Sequence, residues 1–140
     1  MRKLALFLFC GFHTLFDAQV HKYTPKVRFA AETYAFLKGQ SAALQKIALQ
    51  FPALQPQIET AEKESKVLFG RAERNIAFFL KDELNNSQFT ILKNHIDSLV
   101  YEQLKNPIEK EKYALDYLNL VKERQKLIKR YFTITGNIIF

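Results

Sequence analysis

Histidine and cysteine are the first residues to consider for catalysis or metal binding, and this 140-residue sequence has three histidines and one cysteine. Cys10 and His13 lie in the apolar N-terminal stretch, and His21 follows in a polar segment. Only His95 falls within a segment of helical periodicity, at the edge of its apolar stripe. A zinc site needs three or four ligands at suitable spacing. We therefore predict no catalytic histidine, no metal site and no cofactor.

The common catalytic and nucleotide-binding motifs are also missing from the sequence. HExxH, GxSxG, the P-loop and GxGxxG do not occur. A carboxylate pair for glycoside hydrolysis is defined by a distance in space, which the sequence does not give. We predict that the protein is not an enzyme, and we keep a cell-wall-active enzyme as a third interpretation.

Basic residues form a more informative pattern, on one side of a helix predicted between Leu54 and Leu84. At about 100° per residue, five cations lie opposite the apolar stripe, and two apolar side chains project among them. Such a face suits an anionic partner that has an apolar part; a solvated face, or one covered by another segment of the chain, is the alternative. The predicted binding residues are Lys63, Lys66, Val67, Arg71, Arg74, Phe78 and Lys81.

The stretch at 121–132 mixes basic and apolar residues in a similar way. Its sequence, VKERQKLIKRYF, predicts a basic amphipathic helix. A helix of this kind can lie on an acidic membrane surface or dock on a partner, and it can equally be the last helix of a bundle.

Residues 1–18 have the layout of a secretory signal peptide. Arg2 and Lys3 precede an apolar run from Leu4 to Phe16, and Ala18 supplies a small residue at the cleavage site. The run is too short for a membrane span, which needs roughly 20 residues. Cleavage would leave a mature chain without cysteine, in the periplasm or secreted. The alternative is a retained N-terminal core helix of a cytosolic protein.

Composition and charge limit the class of protein and of partner. The chain has a net charge of +7, with 48% hydrophobic and 14% aromatic residues, which is enough to fill the core of one domain. A basic exported protein is attracted to acidic surfaces. The predicted partner is therefore an unidentified protein or an anionic envelope component, with peripheral membrane contact compatible with either. Nucleic acid is a poorer candidate, because an exported protein rarely meets it.

Four segments carry apolar residues three or four positions apart, which is the period of an amphipathic helix. The helical domain is predicted over residues 27–131, after a polar linker at 19–26. Ser87 is a candidate cap of the third helix, and the NPIE sequence at 106–109 predicts the start of the fourth. Because short connections favour antiparallel neighbours, we predict an all-α fold. It is either a four-helix antiparallel bundle or an array of helical hairpins, which could also form a homo-oligomer.

Two further features concern the regularity of these helices. Residues 132–140 alternate β-branched and other residues, which predicts a short extended tail. Gly39 and Gly70 lie inside predicted helices, and the sequence does not decide whether they kink or break them. The apolar stripe keeps its phase across Gly70, so we predict one long second helix.

The sequence therefore predicts a small exported helical module that binds or supports another component. It would recognise a protein or an anionic envelope component through basic and aromatic helix faces. The alternative is a helical nucleic-acid-binding protein, if the N-terminal segment is retained.

Overall fold

The computed structural model describes residues 22–135, with side chains over 22–130, and this range contains four α-helices and no strand. We number them α1 to α4, and a short 3-10 helix, Pro52–Leu54, joins the first two. The all-α bundle predicted from the sequence is confirmed, while the predicted signal peptide at 1–18 lies outside the described residues. The helices are α1 (Pro25–Gln50), α2 (Gln55–Glu83), α3 (Asn86–Leu104) and α4 (Glu111–Thr135).

A long antiparallel hairpin of α1 and α2 forms the centre of the structure, and the other two helices cover opposite ends of it. One core cluster joins the first half of α1, the second half of α2, and α3. The other joins the second half of α1, the first half of α2, and α4. The largest fully buried side chains are Leu44, Ile47, Ile58, Ile76, Leu80, Ile96, Leu118 and Val121.

The helices α2 and α4 run in the same direction where they meet. Lys122 donates to the Gln57 side chain at 3.3 Å, and one turn further along, Gln125 donates to the Ala61 carbonyl at 2.8 Å. Because α4 follows α2 only over the first part of α2, the first half of α1 and the second half of α2 extend beyond this contact, and they form their core cluster with α3.

The first helix begins two residues before the predicted domain boundary. Pro25 is its first residue, and the Thr24 hydroxyl caps it by accepting the Val27 N–H at 3.3 Å. The assignment of 19–26 as linker was therefore wrong at its last two positions. Proline suits the first turn of a helix because its missing N–H has no helical partner there.

Both internal glycines lie within continuous helices. Gly39 falls inside α1, and Gly70 falls inside the 29-residue α2, which confirms the prediction of one long second helix. The cost of a helical glycine is about 1 kcal/mol. The burial of apolar residues on both sides of each glycine offsets that cost.

The third helix starts with a capping box rather than at Ser87. The Asn85 side chain accepts the Gln88 N–H at 2.8 Å, and the Gln88 side chain accepts the Asn85 N–H at 3.1 Å. This reciprocal pair satisfies two backbone donors that the helix itself leaves without partners.

The fourth helix starts later than the NPIE sequence predicted, because Ile108 is held in the preceding loop. The Gln50 side chain accepts the Ile108 N–H at 2.9 Å and donates to its carbonyl at 2.6 Å. The Ile108 side chain is buried in the second core cluster. These contacts hold the segment in a non-helical loop, and α4 begins at Glu111.

The fourth helix also ends later than predicted. It continues through Thr135, so the extended tail predicted at 132–140 was wrong for its first four residues, and 136–140 lie outside the described range. Extending an existing helix by one residue is much easier than starting one. Alternation over a few β-branched residues therefore does not stop a 25-residue helix.

Candidate binding surfaces

The outward side of α2 carries the binding residues predicted from the sequence, and all seven are exposed. Val67 is 75% exposed and Phe78 is 65% exposed. We call this surface the basic–aromatic face. The structure places its members together on one helix face, as predicted, while their role in binding stays a prediction. Its residues are Lys63, Lys66, Val67, Arg71, Arg74, Phe78 and Lys81.

The packing of α2 explains why this side faces outward. Its buried residues all point toward α1, α3 and α4, and they lie on the opposite side of the helix: Ile58, Ala61, Ala72, Ile76 and Leu80. From Lys63 to Lys81 the face extends for about 27 Å along the helix axis. At its end, the Lys81 ammonium lies 5.5 Å from the ring centre of Phe89 in α3. The face is therefore a long and positively charged ridge.

Two acidic residues on α2 are turned toward neighbouring helices. Glu73 forms an ion pair with Lys38 of α1 at 2.8 Å, and Glu64 forms one with Lys129 of α4. The Lys38 ammonium donates a hydrogen bond to the Glu73 carboxylate, and this bond raises the pKa of Lys38. Because these carboxylates pair at the sides of α2, their charge is directed away from the basic–aromatic face.

A second surface, which the sequence analysis missed, is an apolar groove between α1, α2 and the later part of α4. Its volume is about 500 Å³. At its rim, Phe29 is largely exposed and Leu127 is 62% exposed. We call it the apolar groove, and its main apolar lining residues are Phe29, Phe36, Phe69, Ile76, Leu127 and Ile128.

One end of the apolar groove is closed by a polar cluster. Gln40 and Gln125 are each only 5% exposed, and both donate to the Ser65 hydroxyl oxygen, at 3.3 and 2.9 Å. Gln125 also donates to the Ala61 carbonyl. Buried amides are stable only when hydrogen-bonded, so these contacts fix the end of the groove.

Arg124 lies at the same end of the groove. Its guanidinium carbon is 5.0 Å from the ring centre of Phe36, which is a cation–π arrangement. Burial lowers the pKa of the Arg124 guanidinium. An arginine remains charged in spite of such a shift, so a positive charge lies beside an apolar channel.

The sequence contained a weak signal for the groove. Phe29, Phe36 and Gln40 recur at helical spacing beside the stripe that packs against α3. Two apolar stripes on one helix indicate that two faces are in contact with other parts of the structure.

A larger and more polar cleft of about 940 Å³ separates α1 from α3. Lys46 lines it and donates through its ammonium to the backbone carbonyls of Leu104 and Asn106. Cations near the last carbonyls of a helix satisfy acceptors that lack helical donors. Lys46 therefore stabilises the end of α3.

Neither a metal site nor a membrane span is evident between residues 22 and 135. His95 is half-buried in α3, and in that range no three His, Cys, Asp or Glu residues are grouped so that they could hold a metal ion. None of the helices in the same range is both long enough and apolar enough to cross a bilayer.

No protein-family model, curated protein or solved structure matches this chain. A function for it has to be inferred from the arrangement and chemistry of its own residues.

Proposed function

We propose that this protein is an exported, non-catalytic helical module that docks on the anionic lipid surface of a cell envelope. The observation that carries this proposal is the basic–aromatic face, where Val67 and Phe78 project among five exposed cations. Export is supported by the signal-peptide pattern at 1–18 and gives a periplasmic or secreted location.

A flat anionic surface suits this face because its residues lie along one side of a single helix. A ridge about 27 Å long can approach a plane along its whole length. Each lysine or arginine close to an anionic membrane contributes about 1 kcal/mol of attraction. Phe78 and Val67 add an apolar contribution once they enter the interfacial region.

Phe78 distinguishes this partner from one that offers only phosphate groups. Phosphate contacts depend on charge and weaken with salt, and a lone phenylalanine adds little to them. An amphiphilic surface buries the ring, and burying a phenylalanine side chain is worth about 1.5–3 kcal/mol. Phe78→Ala should therefore weaken binding to lipid and leave binding to duplex DNA nearly unchanged.

Vesicle flotation tests the proposal. The protein should float with vesicles that contain an anionic phospholipid and should stay behind with purely zwitterionic vesicles. Removing two cations with Lys66→Gln and Arg74→Gln should weaken binding about thirtyfold, at about 1 kcal/mol for each charge.

The matched control removes two exposed cations elsewhere, with Lys93→Gln on α3 and Lys110→Gln before α4. It changes the net charge equally and should have a much smaller effect. Equal losses of vesicle binding in the two double variants would show that the interaction depends only on the overall charge of the protein. A protein that binds neither vesicle, or binds an acidic protein instead, would refute the lipid partner.

A further inference from the structure

Gly70 lies in the middle of α2, where the packing of the described residues does not require a glycine. A Cβ atom at this position would lie 3.7 Å from Nη1 of Arg74, the far end of a flexible side chain. Apart from its chain neighbours and its own helix backbone, no other described atom would lie within 4 Å of that Cβ. A helical glycine lowers stability relative to alanine, and a residue that does so without a packing reason points to a functional site.

Gly70 borders a small pocket between α1 and α2, which has a volume of about 160 Å³. The pocket lies beside the basic–aromatic face and shares Lys66 with it. Because glycine has no side chain, the surface between the face and the pocket is left open at this position. We call it the glycine pocket, and its polar lining also includes Ser41, Gln45, Glu62, Ser65 and Glu73.

Two cations of the basic–aromatic face flank Gly70. Lys66 precedes it by four residues and Arg74 follows it by four, and both side chains are exposed. Residues four apart are neighbours on a helix surface. A phosphate group placed over Gly70 would therefore meet an ammonium on one side and a guanidinium on the other, and both groups bind phosphate well. The absence of a side chain lets such a group approach the helix closely.

The glycine pocket carries the opposite charge on its own lining. Glu62 and Glu73 are both half-buried there, and the ion pair with Lys38 fixes the position of Glu73. Ionised carboxylates accept hydrogen bonds and repel other carboxylates. A group that enters this pocket should therefore donate hydrogen bonds and carry no negative charge.

We propose that the glycine pocket binds the glycerol headgroup of phosphatidylglycerol, with the lipid phosphate between Lys66 and Arg74. The phosphate supplies the negative charge for the two cations, and the glycerol hydroxyls donate to the carboxylates of the pocket. A volume of about 160 Å³ equals that of about five water molecules, which is enough for this small headgroup. The inference rests on the proposed docking on anionic lipid and names the headgroup that the docking surface prefers.

The experiment compares two anionic lipids of equal net charge. Flotation of the full chain would use phosphatidylcholine vesicles that contain the same fraction of either phosphatidylglycerol or phosphatidylserine. The serine headgroup brings a carboxylate toward Glu62 and Glu73, whereas glycerol brings hydroxyl donors. Binding to the phosphatidylglycerol vesicles should therefore be about tenfold tighter.

Filling the open position should remove this preference. Gly70→Gln adds an uncharged polar side chain where the headgroup would enter, and it should make the two affinities nearly equal. Ser98→Gln, at an exposed position on α3, is the matched control and should keep the preference. Gly70→Ala should raise the melting temperature by about 3–5 °C, because alanine fits the space and favours the helix.

A second pair of variants tests the carboxylates of the pocket. Glu62→Gln removes the repulsion of the serine carboxylate and should reduce the preference for phosphatidylglycerol. Glu59→Gln, at an exposed position on the same helix, changes the net charge equally and should leave the preference as it is.

The outcomes separate this inference from the proposed function. Failure to bind either vesicle would refute both. Equal binding to the two vesicles, tighter binding to phosphatidylserine, or a preference that survives Gly70→Gln would overturn the glycine pocket and leave the docking on lipid in place. A melting temperature lowered by Gly70→Ala would also overturn it, because the fold itself would then require the glycine.

Discussion

The two surfaces of α2 differ in how they are built. The basic–aromatic face belongs to a single helix, and its seven residues are near one another whatever the rest of the chain does. The apolar groove exists only because α1, α2 and α4 meet, with Arg124 and Phe36 brought together from distant parts of the sequence. A face formed by one helix can be predicted from sequence, whereas a groove formed by three helices requires their packing.

Both surfaces leave apolar side chains exposed to water. Exposed lysines and arginines remain solvated and cost little. Phe29 and Leu127 leave apolar area in water at the rim of the groove. Exposed apolar area that borders a concave site often marks a binding surface. On the basic–aromatic face, Val67 and Phe78 are exposed to a similar or greater extent, so neither surface is the less costly one for stability.

The largest expected effect compares two positions on opposite sides of α2. Ile76 is fully buried, belongs to the first core cluster and lines the groove. Ile76→Ala should lower the free energy of unfolding by about 2–5 kcal/mol. Phe78→Ala should change it by less than about 0.5 kcal/mol. Urea denaturation measures both, and similar losses in the two variants would show that the α2 faces are assigned incorrectly.

A pH-dependent effect tests the burial of Tyr117, which lies in the first half of α4 and belongs to the second core cluster. Burial raises the pKa of Tyr117 to about 12, from an ordinary value of 10.0. Between these values the unfolded chain loses the phenolic proton and the folded protein keeps it, so stability falls as the pH rises from 10 toward 12. At about 1.4 kcal/mol per pKa unit, the loss is at most about 3 kcal/mol.

Thermal melts from pH 9 to 12 check this prediction. Tyr117→Phe removes the ionising group and should flatten this part of the stability profile. Tyr101→Phe, at an exposed position on α3, is the matched control and should leave the profile as in the unmodified protein. Identical profiles for all three proteins would contradict the burial of Tyr117.

A smaller effect is expected at the polar end of the groove. Gln125→Ala removes the hydrogen bonds to Ser65 and Ala61 and should destabilise the fold by about 1–3 kcal/mol. Denaturant titration measures this loss, and an unchanged free energy of unfolding would mean that the Gln125 amide does not make these hydrogen bonds.

The smallest effect on stability is expected on the basic–aromatic face. Lys66→Ala should change the free energy of unfolding by less than about 0.5 kcal/mol, since the side chain is exposed. Its effect should appear instead as weaker binding to anionic vesicles. A large destabilisation with unchanged vesicle binding would assign Lys66 a structural role.

Helical periodicity predicted the elements well, because each amphipathic segment is long and its apolar stripe is continuous. It was less accurate about which apolar residues are buried. Phe79 and Leu68 fit the stripe of α2, yet both are half-buried, and Leu80 is fully buried instead. The region of α2 around Leu80 also belongs to the core cluster formed with α3. A stripe calculated for one helix alone does not include this contact.

The segment boundaries depended on contacts that the sequence does not reveal. The Asn106–Glu109 stretch has the composition of a helix start, but Gln50 from another helix holds Ile108 in a non-helical loop. The groove was missed for the same physical reason. Its polar end depends on Gln40, Ser65 and Gln125, which lie on three different helices.

The central claim is that the basic–aromatic face binds an anionic lipid surface, and one matched pair tests it most directly. Flotation with anionic vesicles would compare Phe78→Ser on α2 with Ile91→Ser on α3, since both positions are exposed and apolar. Phe78→Ser should weaken binding about tenfold or more, because the ring is buried in the lipid interface, while Ile91→Ser should bind like the unmodified protein. Equal binding of the two variants would contradict the account.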